Sequence, residues 1–250
     1  TLGAQVKSVV RKFDDVEHMW QADKSVWGYH ALILFPHTGK VVDDLIETKG
    51  EVYQAKQHGF ARLMEHSFVD QSRDTLVLEL CADEETRKMF PYEFRLVSIF
   101  TLEGSTLHHT LSVENLDGCA MPLGIGYHPG FAIPFDDQHT TTDYEFRFDA
   151  LESPLCVSAL PNGLLNGTDY HYLARNVKSI PVTDDLFAND SHCMTNLTSK
   201  TLGIYEKDTD RAVVCDIGDF PYTLIWSMPG GDPKFVCIEP WHSLPSPERS

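Results

Sequence analysis

This sequence predicts an all-β domain, a sandwich or a barrel, on three observations. Apolar and polar residues alternate with period two in several segments, only one short stretch has the marks of a helix, and Gly, Pro, Asn and Asp turns recur at short intervals. Period two sends successive side chains to opposite faces of a strand, so alternation signals a sheet with one face against a core. Of the 250 residues 42% are hydrophobic, enough for a sizeable core, and no low-complexity linker, composition shift or internal repeat divides the chain. One domain over residues 1–250 is expected.

Taken in order, Leu76, Leu78 and Leu80 line one face of a strand while Val77 and Glu79 take the other. The helix follows, with Asp83 as cap, Glu84 and Glu85 in its first turn, Arg87 and Lys88 near its end and Pro91 as its stop. Phe94, Leu96, Phe100 and Leu102 return to strand alternation. Gly104-Ser105 is a two-residue turn into Leu107, His109, Leu111 and Val113, so the two runs read as a β-hairpin. Further strands are expected at 144–148, 212–217, 222–226 and 235–239, with Pro229-Gly-Gly-Asp-Pro233 turning the chain between the last two.

The charge balance, 20 Lys+Arg against 37 Asp+Glu for a net −17, opposes a nucleic-acid partner and an anionic membrane. No run is long enough to span a bilayer and no signal peptide opens the chain. Six cysteines without CxxC spacing read as reduced thiols, and a cytoplasmic location is expected.

His128 sits in Gly124-Ile-Gly-Tyr-His-Pro-Gly-Phe131, where Pro129 favours an extended backbone and the glycines admit close neighbours. A fixed imidazole suits general acid or base work; the plainer alternative is a turn whose histidine bonds a neighbouring strand. Glu239 ends the apolar run from Phe235 on the face of Cys237 and Phe235, either paired or with a raised pKa, the alternative being a solvent-facing strand end. Trp241 offers a flat apolar face for a sugar ring, or packing. His58 and Arg62 flank a tight glycine turn whose plainer reading is a loop with an exposed, salt-bridging arginine, and Asp190 is a ligand contact or, more plainly, a turn cap. The histidines are dispersed, with His108 and His109 on opposite strand faces, so no metal site is expected. Neither a GxSxG elbow nor a GxxxxGK[ST] phosphate loop is present.

In their order along the chain, His58-Gly-Phe-Ala-Arg62, Gly126-Tyr-His-Pro-Gly-Phe131 and Cys237-Ile-Glu-Pro-Trp241 resemble the aldose 1-epimerase (galactose mutarotase-like) family, most closely its compact bacterial branch. Trp20, Trp27, Leu34-Phe-Pro36, Phe90-Pro-Tyr-Glu-Phe94 and Trp226-Ser-Met-Pro-Gly-Gly231 extend the likeness over nearly the whole chain. The resemblance implies a large antiparallel β-sandwich with an open sugar-binding cleft and a first strand before Thr1. It implies Glu239 as catalytic base and His128 as acid, facing each other across a sugar ring beyond direct hydrogen-bond reach. His58, Arg62 and Asp190 would contact the sugar, with Trp241 and Lys40 beside them. No metal or organic cofactor is implied, and the partner would be a free aldohexose. A non-catalytic carbohydrate-binding module and a hexose-6-phosphate epimerase are the alternatives. Lys40 stands where many members carry arginine, and it lacks the bidentate fork. His242-Ser-Leu-Pro245 also departs from the family's usual glycine and acidic residue, which bears on the rim of the cleft.

The thiol reading has a direct check. Titration of the denatured, unreduced protein should recover all six thiols, and a markedly lower count would mean disulfides.

Overall fold

Phe235-Val-Cys-Ile-Glu-Pro-Trp241 is apolar at almost every position, as in a strand covered on both faces, and all seven of its residues are buried. This strand lies inside a seven-stranded sheet of a computed structural model that describes residues 1–160 and 162–247. The order across the sheet is Leu165–Tyr172, Leu155–Ala159, His192–Met194, Tyr222–Trp226, Phe235–Trp241, Gly126–Ala132 and Ala31–Leu34. Every pairing within it is antiparallel.

Two four-stranded antiparallel sheets pack behind it. One runs Val177–Pro181, Tyr144–Glu152, Thr201–Glu206, Ala212–Asp216 and the other Ser67–Gln71, Thr75–Cys81, Phe94–Glu103, Thr106–Asn115. The first closes a core in which Phe131, Ile225, Val236 and Ile238 of the large sheet meet Tyr144, Phe146, Leu202 and Ile204. The second meets Ile33 and Phe35 with Leu78, Leu80, Phe94 and Leu96. The alternate residues of the large sheet, among them Leu32, Leu34, Leu224 and Trp241, form a third apolar cluster on the opposite face. The all-β antiparallel architecture expected from the sequence is the one found.

The predicted hairpin is present, with Glu103 opposite Thr106 across the Gly104-Ser105 turn. The helix is one turn, Glu84–Arg87, closed by a capping box in which Asp83 Oδ1 accepts the Thr86 N–H at 2.7 Å and Thr86 Oγ1 accepts the Asp83 N–H at 2.8 Å. The last strand does not stop at Glu239. It continues through Pro240 to Trp241 because its register with the neighbouring strand holds, Pro240 opposite Thr223 and Trp241 opposite Tyr222. The His128 segment, for which a turn was the plainer reading, is the strand Gly126–Ala132. No helix of the described residues is long and apolar enough to cross a membrane.

Candidate active site

Two neighbouring strands near the middle of the large sheet build the site. Gly126 pairs with Trp241 and Gly130 with Cys237, and that register sets His128 directly opposite Glu239. The row continues on both sides: Leu32 is opposite His128, Leu224 opposite Glu239, and Cys193 opposite Leu224. An imidazole and a carboxyl therefore project side by side from one sheet face, between apolar neighbours. His128 Nε2 lies 3.3 Å from Glu239 Oε2. This corrects the expectation of a pair held apart across a ring: directly opposed residues of an antiparallel ladder point the same way and their side chains meet.

The glycines of the His128 strand are explained by what they admit. A Cβ at Gly126 would sit 2.8 Å from Trp241 Cδ1, and one at Gly130 2.8 Å from Trp27 Cζ3. Both lie on the face of His128, two residues to either side, so the indoles close in around the imidazole. Trp27 stacks on His128 at 5.1 Å between centroids and 20° between planes, and Trp226 meets it edge-on at 5.5 Å.

His58 approaches from a loop. Its backbone is left-handed (φ 64°), and the following Gly59 (φ 70°) has room for no side chain, since a Cβ there would collide with the Phe35 carbonyl. The His58 N–H donates to Gly39 O at 2.8 Å, and His58 Nδ1 accepts the Gly39 N–H at 3.1 Å. An accepting Nδ1 leaves the proton of the neutral ring on Nε2. Burial, reinforced by His128 and Arg62, holds the His58 pKa well below the usual imidazole range, so it is a neutral donor. Its ring lies edge-on to His128 at 5.4 Å and to Trp241 at 5.5 Å. Arg62 lies over the Tyr29 ring at 5.2 Å and donates to Gln57 O at 3.2 Å, leaving its buried Nε without a partner among the described residues.

A cavity of about 370 Å³ opens over this face. Lys40, His58, Arg62, His128, Asp190, Glu239 and Trp241, all singled out in the sequence, are in its wall. Trp27, Tyr29 and Gln57 line it as well and were not identified as site residues. In the sequence Trp27 counts only toward the family likeness, with no local sign that it folds back on His128. Asp190 enters with a left-handed backbone (φ 78°), a conformation aspartate tolerates, and its charge is felt at Glu239.

Burial dominates the electrostatics. Glu239 is 1% exposed and its carboxyl is raised well above the usual 4.5, by desolvation first and by Asp190 second. The indole of Trp241 lies near enough to oppose that rise, although its Nε1 makes no hydrogen bond of ordinary geometry. His128 is pushed down to about 3, again by desolvation, with Arg62 adding to it. Burial thus opposes charge on both groups, favouring the neutral carboxyl and the neutral imidazole. A site of this kind can pass a proton each way between two adjacent oxygens of a ligand.

Comparisons with known proteins agree with this fold. A family model described as aldose 1-epimerase matches residues 1–248. The plasmid-encoded protein LacX of Lactococcus lactis subsp. lactis is 29% identical over 251 residues, spanning 98% of this chain and 83% of LacX. A galactose mutarotase related enzyme from Lactobacillus acidophilus superposes with a TM-score of 0.93 at 30% identity, covering 99% of this chain and 82% of that one. A galactose mutarotase-like protein from Lactobacillus casei ATCC 334 gives 0.89 at 31%, covering 98% and 85%.

The raised carboxyl predicts a pH dependence of stability. A group whose pKa rises on folding stabilises the fold fully below its unfolded value, here 4.5, and that contribution is lost as pH rises toward the folded value. Glu239→Gln removes the titration. The Tm of the variant minus that of the wild type should therefore increase between about pH 5 and about pH 8, on a scale of about 2–4 °C per kcal/mol for a chain of this size. Calorimetry at both pH values checks it; a constant difference would mean that Glu239 ionises normally in the fold.

Proposed function

The chain belongs to the aldose 1-epimerase family, and from that premise we propose that it interconverts the α and β anomers of a free aldohexose by acid–base ring opening at Glu239 and His128. The observation that carries this reading is the 3.3 Å contact of the two groups on one wall of a cavity large enough for a monosaccharide. The oxygens that exchange protons in anomerisation, O1 and the ring O5, are borne by the same carbon. An acid and a base side by side suit them better than a pair set across the ring.

With the Glu239 proton passed to His128 across their 3.3 Å contact, the Glu239 carboxylate takes the proton of the anomeric hydroxyl while the His128 imidazolium gives its proton to O5. The C1–O5 bond breaks to the open-chain aldehyde, leaving Glu239 protonated and His128 neutral, the distribution that burial favours. Rotation about C1–C2 presents the other face of the carbonyl. On reclosure O5 attacks C1 and returns its proton to His128, and Glu239 returns the other to O1. The protons balance without an external donor, and a positioned acid or base is typically worth ~10²–10⁴-fold. His58 as a neutral N–H donor, Arg62 and Asp190 would hold the hydroxyls, Trp241 and Trp27 the apolar faces of the ring, and Lys40 the mouth.

Neutral sugars suit the cavity better than phosphorylated ones. Among the described residues in its wall, Lys40 and Arg62 are the lysine and arginine, opposed by Asp190 and Glu239. A phosphate dianion in a chain of net charge −17 would require more cations than these two.

Glu239→Gln and His128→Asn should each lower kcat for anomerisation by ~10²-fold or more with the fold retained, and the double variant should be far less than multiplicatively worse. Polarimetry or NMR exchange on anomerically pure sugars measures this, with circular dichroism as the folding control. Near-normal rates in both folded single variants would remove the mechanism. Sugar binding without turnover by the wild type would replace it with a binding module. A kcat/KM for hexose 6-phosphates above that for neutral aldohexoses would overturn the substrate class.

A further inference from the structure

Away from the cavity, one cluster joins soft and borderline metal donors. Cys156, His171 and His192 offer a sulfur and two imidazole nitrogens that all lie within 4.8 Å of one another. They come from the three strands at one end of the large sheet, Leu155–Ala159, Leu165–Tyr172 and His192–Met194. Cys156 is paired opposite His171 on one side and opposite Met194 on the other. Period-two alternation then puts His192, two residues before Met194, on the face of Cys156.

Both imidazoles are already oriented. His192 donates its Nε2–H to Leu186 O at 2.6 Å, which leaves the lone pair of the neutral ring on Nδ1. Burial holds its pKa below the usual value and keeps the ring in that neutral form. His171 Nδ1 lies 3.1 Å from Ser158 Oγ. Outer hydrogen bonds of this kind are how metal-ligating histidines are commonly held. Cys156 is fully buried, whereas His171 is exposed at the sheet edge and gives an entry path from solvent.

We propose that Cys156, His171 and His192 form a binding site for a borderline-soft divalent cation of the zinc class. One thiolate and two imidazoles match the nitrogen and sulfur preference of zinc and fill three of its four tetrahedral positions, water taking the fourth. The Cys156 thiol, pushed up to about 12 by burial, must release its proton to solvent on binding, so affinity rises with pH. The consequence for the cavity runs through the two residues before His192. Asp190 and Ser191 line it, and the charge of Asp190 acts on both His192 and Glu239. A cation that ties His192 to Cys156 and His171 clamps the loop that presents Asp190.

Two other clusters could compete for a cation. Asp136, His139 and Glu206 already have one, because Arg211 pairs with both carboxylates. His128, Cys237 and Glu239, two of which line the cavity, do not, so the experiment must separate them. The chelator-treated full chain is titrated with Co(II) and followed by absorbance. One equivalent should bind with a thiolate-to-cobalt charge-transfer band and tetrahedral visible bands, and zinc should displace it. Cys156→Ala should abolish the charge-transfer band while Cys237→Ala keeps it. His171→Gln, at an exposed position where the fold is spared, should weaken binding about tenfold or more. The proposal is overturned if the wild type gives no thiolate band, if the band follows Cys237 instead of Cys156, or if His171→Gln binds Co(II) as tightly as the wild type.

Discussion

The site depends on one register. His128 and Glu239 stand opposite each other because Gly126 pairs with Trp241 and Gly130 with Cys237. A slip of one residue between those strands would send one of the two side chains through the sheet into the apolar core on the other face. The register is strongly held, since that other face carries Phe131, Val236 and Ile238, all buried against the sheet that contains Tyr144–Glu152 and Thr201–Glu206. Core packing behind the sheet thus positions the ionisable groups in front of it.

The large sheet divides its labour by face. Behind, bulky side chains interdigitate with two smaller sheets. In front, the same strands carry small or polar residues at the centre, so that Trp27 from a loop and Trp241 from the facing strand can close in beside the imidazole. Trp27 comes in over Gly130 and Trp241 over Gly126. Enclosure by indoles removes water from two ionisable groups, and their shifts in opposite directions share that cause. Burial forces the carboxyl up and the imidazole down, so each is favoured in its neutral form.

The loops that complete the cavity bear unusual backbone. His58 and Asp190 both have left-handed φ angles, a conformation that costs free energy for residues other than glycine. For His58 the compensation is visible: its backbone and its ring both bond Gly39, which leaves the ring proton on Nε2, 3.2 Å from the Gln57 side-chain amide. Asp190 belongs to the chain that leads into His192, linking the cavity to the edge of the sheet where Cys156 and His171 lie.

Much of the local structure was legible in the sequence, because it is decided by residues close together in the chain. Period-two alternation located the hairpin strands around Gly104-Ser105, Asp83 marked the start of the one-turn helix, which ends at Arg87 before Pro91, and alternation from Phe235 placed Glu239 on the face of Cys237. The motifs around His58, His128 and Glu239 pointed to residues that the fold gathers in one cavity wall. The sequence did not contain the 3.3 Å approach of His128 to Glu239, the stacking of Trp27 on His128, or the meeting of Cys156, His171 and His192. Each joins segments far apart in the chain, and no short window records which strand lies beside which. That is settled by how apolar faces pack and which register buries them best. By itself the sequence determined the strands where alternation is clear, around the Gly104-Ser105 turn and in the runs from Tyr144, Ala212, Tyr222 and Phe235. Only the tertiary structure decided which faces meet, because pairing between distant strands is a property of the whole core.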